Sequence, residues 1–72
     1  MAAQSKYIKS ISKRINSLRL ERDWSYQEMA NACDMEKTHV YNICTTGVDL
    51  RISSLVKIAK GLGVSMTQLF DF

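Results

Sequence analysis

The sequence predicts an all-α fold of five short helices, and three observations support that class. The 72 residues include three glycines and no proline, which suits helices joined by tight turns. Apolar residues recur at intervals of three and four along the longest segments, as on the buried face of an amphipathic helix. Residues 25–28 and 65–68 have the residue order of a helix capping box. No strand-like alternation competes with these patterns.

The five predicted helices follow one another closely. The first covers about residues 6–22, after a flexible start at residues 1–6. The second is capped by Ser25 and ends in a turn at residues 33–35; the third covers residues 36–45 and is stopped by Gly47. The fourth covers residues 52–61, and a short fifth helix ends near Phe70. The expected buried residues of helices one, three and four are Ile8, Ile11, Ile15, Leu18, Val40, Ile43, Leu50, Ile52, Leu55, Val56, Ala59 and Leu62.

Length and charge limit the possible partners. Residues 1–72 fit one domain, whose core is marginal because so short a chain buries only about 60% of its unfolded surface. The net charge is +3 and the sequence pI is about 9.1, a modest basic excess that is compatible with nucleic acid. A solvated helix face explains the excess equally well. The basic residues crowd the first helix at Lys6, Lys9, Lys13, Arg14, Arg19 and Arg22.

Other classes of protein find little support in the residues. Cys33, His39 and Cys44 lack the paired spacing and the fourth ligand of a structural zinc site, so no metal is expected. No catalytic set or phosphate-binding glycine loop is present, so neither an enzyme nor a cofactor or small-molecule ligand is expected. No apolar run approaches the roughly 20 residues that span a membrane. Without a signal-peptide pattern, free thiols and a cytoplasmic location are expected.

Two segments carry a resemblance to a known family. WSYQEMANACDMEKTHVYNICTTG, residues 24–47, resembles the helix-turn-helix of lambdoid phage repressors and Cro proteins, also called the xenobiotic-response-element family. SLVKIAKGLGVSMTQLF, residues 54–70, is similar to the fourth and fifth helices of that family. The resemblance extends over about residues 11–70. It implies a compact lambda-repressor-like domain that regulates transcription by placing its third helix in the major groove of double-stranded DNA.

The third helix supplies the candidate base-contacting residues. An α-helix is about 10–12 Å across and fits a major groove about 12 Å wide. If Val40 and Ile43 face the core, Thr38, Asn42 and Thr45 point away from it at 100° per residue, with Lys37 and Tyr41 beside them. The resemblance implies that Lys37, Thr38 and Asn42 read bases.

Phosphate contacts are expected at the start of the second helix and from four further residues. The free N–H groups and positive dipole end of the second helix suit a phosphate near Ser25, Tyr26 and Gln27. For Tyr26, packing over the helix start is an equally good interpretation. The remaining candidates are Arg14, Arg22, Thr46 and Arg51.

Four departures from the family pattern accompany the resemblance. Asp34 stands where the family prefers a glycine in the left-handed conformation, and Glu36 stands where Ser or Thr usually caps the third helix. Cys44 replaces a glutamate that commonly pairs with an arginine of the first helix, which leaves Arg19 without that partner. The third helix also contains no arginine.

The end of the chain predicts an interface. Apolar residues after the main core elements suggest an interface, and the resemblance implies a homodimer, which would bind a palindromic site with its third helices about 34–36 Å apart. The candidate interface residues are Met66, Leu69, Phe70 and Phe72. Two alternatives to a sequence-specific repressor stay open: a protein-interaction module or antitoxin with weak DNA binding, and non-specific DNA binding through the basic first helix.

Overall fold

A computed structural model describes residues 6–47 and 50–71, and these residues form five helices and no strand. The predicted all-α class is therefore confirmed. The predicted flexible start lies outside the described residues except for Lys6, with which the first helix begins. None of the described helices is long and apolar enough to span a membrane. The helices are α1 (Lys6–Glu21), α2 (Tyr26–Cys33), α3 (Lys37–Thr45), α4 (Ile52–Leu62) and α5 (Met66–Leu69).

Helix boundaries differ from the predicted ones by about one residue, and each difference has a local cause. Glu36 is the extended N-cap of α3 and makes no side-chain capping bond, so the helix itself begins at Lys37. Gly61 does not end α4 as predicted. The helix continues to Leu62 because Gly63, with φ 74°, adopts the left-handed conformation that closes the last turn.

The core draws on every helix. Two predicted core residues of α4 are wrong: Ile52, at the first position of the helix, is 69% exposed, and Val56, on the flank of the stripe, is 40% exposed. Ile58, which the predicted stripe omitted, is fully buried. Ile8 is only half-buried. The buried apolar residues are Ile11, Ile15, Leu18, Met29, Ala30, Cys33, Val40, Ile43, Cys44, Leu55, Ile58, Ala59, Leu62 and Leu69.

The turn between α2 and α3 depends on one left-handed residue. Asp34 has φ 56° and ψ 51°, which confirms the conformation expected at this position. The reversal is closed by the Met35 N–H, which donates to the Ala30 carbonyl at 2.9 Å. Ala30 is fully buried, so the small residue lies where the two helices come together. This turn sets the angle at which α3 leaves α2.

Gly61 allows α4 to approach the end of α2 at backbone distance. A Cβ added at Gly61 would lie 2.9 Å from both the Ala32 carbonyl oxygen and the Cys33 Cα, and it would overlap the Cys33 Sγ. Glycine inside a helix is normally unfavourable. Here it is required by the close packing of α2 on α4, which in turn supports the α2–α3 turn.

We predict that Gly61→Ala lowers the free energy of unfolding by about 1–3 kcal/mol, the usual effect of overpacking a core. Helix propensity alone predicts the opposite, a gain of about 1 kcal/mol. Urea denaturation followed by circular dichroism distinguishes the two. Lys60→Ala, at the exposed neighbouring position, is the control and should change stability by less than about 0.5 kcal/mol. A Gly61→Ala protein as stable as the parent would refute the close contact.

At Asp34 we predict that tolerance of the left-handed backbone conformation, and not the charge of the side chain, determines the free energy of unfolding. Asp34→Val should lower the free energy of unfolding by about 1–3 kcal/mol, because a β-branched residue is strained at positive φ. Asp34→Asn should change it by less than about 0.5 kcal/mol, since asparagine tolerates the left-handed conformation. Equal losses in the two variants, measured by thermal or urea unfolding, would show that the carboxylate matters instead.

Candidate nucleic-acid interface

The inner face of α3 is fixed to the rest of the domain. Val40 and Ile43 are fully buried, as predicted, and Cys44 is buried beside them. The Ser12 hydroxyl of α1 donates to the Ile43 carbonyl at 2.5 Å, within a buried part of the structure. These contacts define which side of α3 faces the solvent.

The outer face of α3 carries the predicted base-contacting residues, with one correction. Lys37, Thr38 and Thr45 are exposed, and Tyr41 is 49% exposed. Asn42 belongs to the same face but is half-buried rather than exposed. Helix periodicity still directs it away from Val40, Ile43 and Cys44, so its burial comes from neighbouring segments and not from the core.

Asn42 lies beside residues of the following segment. It lines an open cleft of about 320 Å³ together with Glu36, Thr38, His39 and Arg51. The structure therefore brings two predicted base-contacting residues, Thr38 and Asn42, next to the predicted phosphate-contacting Arg51. Glu36, the acidic departure from the family pattern, belongs to the same cleft.

The polar groups of this face differ in availability. The Thr45 hydroxyl donates to the Tyr41 carbonyl at 2.7 Å, so its methyl group is the part left for a ligand. Within the described part of the chain, the side chains of Lys37, Thr38 and Asn42 make no hydrogen bond. The Asn42 main-chain carbonyl, in contrast, accepts from the Thr46 hydroxyl at 3.2 Å.

The start of α2 forms the predicted capping box. The Ser25 hydroxyl accepts from the Glu28 N–H at 3.1 Å, and the Ser25 N–H donates to the Glu28 carboxylate at 2.8 Å. Gln27 is exposed and donates to the Asn31 side chain at 3.0 Å. A carboxylate therefore already occupies part of this helix N-terminus, beside the exposed Ser25 and Gln27.

Tyr26 packs over the start of α2, which is one of the two interpretations that the sequence left open. Its ring lies edge-on to the Tyr41 ring, with centroids 5.1 Å apart and planes at 79°. The Arg19 guanidinium lies 4.2 Å from the Tyr26 centroid. The Tyr26 ring thereby links α1 to the exposed face of α3.

Arg19 has partners, although the family's usual glutamate is replaced. It is 8% exposed, and it donates to the Asn16 side chain at 3.0 and 3.1 Å and to the Trp24 carbonyl at 2.5 Å. Burial raises the pKa of Cys44, and the positive charge and hydrogen bond of Arg19 oppose that rise. Arg19 therefore lacks the family's usual glutamate partner, as expected, and neutral oxygens and the Cys44 thiol take its place.

Two arginines that the sequence assigned to phosphates are instead engaged within the domain. Arg14 donates to the Gln68 carbonyl at 2.9 Å, in α5. Arg22 donates to the Leu18 carbonyl at 3.0 Å and to the Leu62 carbonyl at 2.6 Å, at the end of α4. Both side chains are half-buried. Both arginines therefore join helix ends within the domain, a role that the sequence did not predict.

The loop after α3 begins on the same side as the exposed face. Thr46 and Arg51 are exposed, and the residues between Gly47 and Leu50 lie outside the described part. Gly47 has φ 77° and is buried against Ile8. The close contact with α1 fixes where the loop leaves α3.

The predicted interface at the chain end requires a correction. Leu69 is fully buried in the core, so it cannot present its side chain to a partner. Met66 is half-buried, Phe70 is 44% exposed, and Phe72 lies outside the described residues. Burial of Leu69 follows from the short α5, which turns that residue towards the core and leaves Phe70 as its exposed C-cap.

The cysteines and His39 have no assigned chemistry. Burial, and secondarily Cys44, raises the pKa of the Cys33 thiol to about 11, so this thiol stays neutral at physiological pH. The His39 Nε2 is buried and has no hydrogen-bond partner. Among the described residues, no three His, Cys, Asp or Glu side chains are grouped as a metal site would need.

Comparison with known proteins agrees with this arrangement. A helix-turn-helix family model matches residues 15–69, which include the last part of α1 and all of α2 to α5. No curated protein and no solved structure matches the chain. The match covers most of the chain, and α3 is exposed and held by α1 and α2 as a helix-turn-helix requires. The chain therefore belongs to the Cro/C1-type helix-turn-helix family of DNA-binding proteins.

Proposed function

We propose that this chain recognises a specific double-stranded DNA sequence and acts as a transcriptional repressor in the cytoplasm, on nucleoid DNA. One observation carries the proposal: α3 buries one face completely and exposes an opposite face with uncommitted polar side chains. A major groove accepts a helix of this width, and α2 crosses the backbone beside it in proteins of this architecture. Family membership supplies the DNA-binding class, and the exposed face supports sequence selectivity.

Base recognition is assigned to the outer face of α3. An amide such as Asn42 pairs bidentately with adenine, and an ammonium such as Lys37 binds the acceptors of guanine. The Thr38 and Thr45 methyl groups suit a thymine methyl, and the exposed edge of Tyr41 extends the same surface. Because Asn42 lies beside Arg51 in the same cleft, we assign it to a base near the strand that Arg51 would contact.

Backbone contacts are assigned to exposed groups that flank α3. Ser25 and Gln27 lie at the positive end of α2, and Thr46 and Arg51 lie on the loop after α3. Tyr26 adds to this set only through its packing on Tyr41. Such contacts set the register on the duplex without reading its sequence.

A second candidate function rests on two carboxylates. Glu36 is exposed at the start of α3, and Glu28 caps α2, so both acidic groups lie near the surface that would meet phosphates. Together with the lack of an arginine in α3, they favour a protein-interaction module or an antitoxin with weak DNA binding. Selection of bound duplexes from a random pool separates the candidates. A single enriched sequence supports the regulator, and recovery of an unenriched pool supports the alternative.

We predict that Asn42→Ala weakens binding to the selected duplex by about 1–3 kcal/mol, roughly 5- to 150-fold, and leaves binding to random duplex unchanged. The main-chain bonds at Asn42 persist in this variant, so the fold is retained. Fluorescence anisotropy on both duplexes provides the measurement. Thr67→Ala, exposed on α5, is the matched control. An unchanged ratio of the two affinities in Asn42→Ala would show that this residue reads no base.

We further propose that the chain forms a homodimer through its last residues and that the dimer binds a palindrome. Phe70 is the exposed anchor of this interface and Met66 adds to it; Phe72 is included from the sequence alone. Phe70→Asp should raise the dimer dissociation constant at least about tenfold, since burying a phenylalanine contributes about 1.5–3 kcal/mol. Sedimentation velocity over a range of concentrations measures this constant. Ile52→Asp is the matched control on the exposed face of α4. If Ile52→Asp weakens the dimer and Phe70→Asp does not, the interface lies on α4 and not at the chain end.

A further inference from the structure

The five basic residues from Lys9 to Arg22 divide into two groups by what their side chains contact. Arg14, Arg19 and Arg22 donate to carbonyl or amide oxygens within the domain and hold other helices in place. Lys9 and Lys13 are exposed, and in the described part of the chain neither has a hydrogen bond or an ion pair. Of these five side chains, Lys9 and Lys13 are therefore the ones free to meet an external anion.

Lys9 and Lys13 lie one helical turn apart, so their side chains occupy one face of α1. That face borders the end of α3. The two lysines line a cleft of about 360 Å³ together with Ser12, Cys44, Thr45 and Thr46. No described residue that lines this cleft is acidic, whereas Asp34 and Glu36 line the cleft at the opposite end of α3.

We infer that Lys9 and Lys13 bind phosphates of the DNA strand that passes the C-terminal end of α3. The inference rests on the proposed function, because it requires α3 to lie in the major groove. A helix in that groove has a sugar–phosphate backbone on each side, and a lysine on a long flexible stem can follow it. Ser25 and Gln27 contact one side of the groove in this arrangement, and the lysine pair adds charge beside the other end of α3.

A purely internal role is the competing explanation. The C-terminal end of α3 carries partial negative charge, and two cations beside it would stabilise the helix even without DNA. This role predicts that removing the lysines lowers the melting temperature and leaves the salt dependence of DNA binding unchanged. The two explanations therefore differ in a quantity that does not depend on the stability of the fold.

The test compares the full chain with the double variant Lys9→Gln/Lys13→Gln over a salt series, on selected and random duplexes. Each lost phosphate contact makes the slope of log K against log salt less negative by about 0.9, so the pair should change it by about 1.8. The ratio of the parent's binding constant to that of the double variant should then fall roughly 12-fold between about 50 and 200 mM salt. The preference for the selected duplex should stay unchanged, because phosphate contacts carry no sequence information.

Two control variants make the outcome decisive. Lys9→Arg/Lys13→Arg keeps the charge and should keep the slope, and Lys60→Gln removes an exposed lysine that lies beside α2 and should not alter it. A folded double Gln variant with the parental slope overturns the inference but leaves the proposed function standing. If the parent itself binds no duplex, the proposed function fails and the inference fails with it.

Discussion

Burial of the inner face of α3 against α1 is the constraint on which the rest of the arrangement depends. With nine residues, α3 is shorter than the roughly 12–15 residues at which isolated helices become marginally stable. Its N-cap, Glu36, makes no side-chain capping bond. Packing of Val40 and Ile43, together with the bond from Ser12 to the Ile43 carbonyl, must therefore hold the helix. The same packing leaves the opposite face free for a ligand.

The arginines of α1 and of the turn after it act mainly as internal connections. Arg22 reaches the end of α4, Arg14 reaches α5, and Arg19 fills the space between α1, the Trp24 carbonyl and the Tyr26 ring. A small domain with short helices leaves many terminal carbonyls without intrahelical partners, and guanidinium groups satisfy several of them here. The number of basic residues in the sequence therefore overstates the charge available for DNA.

Local patterns in the sequence were enough to predict much of the fold. Both capping boxes and the buried Val40 and Ile43 follow from residues within a few positions of one another, and the structure confirms them. The left-handed conformation of Asp34 was implied by the family resemblance instead, and it is confirmed as well. Partners of long side chains could not be predicted in this way. The carbonyl that accepts from Arg14 is 54 residues away, and the α4 carbonyl that accepts from Arg22 is 40 residues away.

The same limit explains the errors at the candidate site. The half-buried position of Asn42 depends on the segment after α3, whose Arg51 lines the same cleft, and periodicity along α3 alone does not show this neighbour. Leu69 and Phe70 are adjacent and both apolar, so only the position of α5 on the core decides which one is exposed. Contacts between helices, rather than patterns along one helix, determine these side chains.

Amide NMR signals of the isotope-labelled chain, titrated with its selected duplex, test most directly whether the outer face of α3 meets DNA. The account predicts that the largest shifts cluster at Lys37, Thr38 and Asn42, with smaller ones at Ser25 and Thr46. Signals of the C-terminal end of α4, near Lys60, and of α5 should change little. Large shifts confined to α4 or α5, with α3 unaffected, would contradict the assignment of α3 as the DNA-contacting helix.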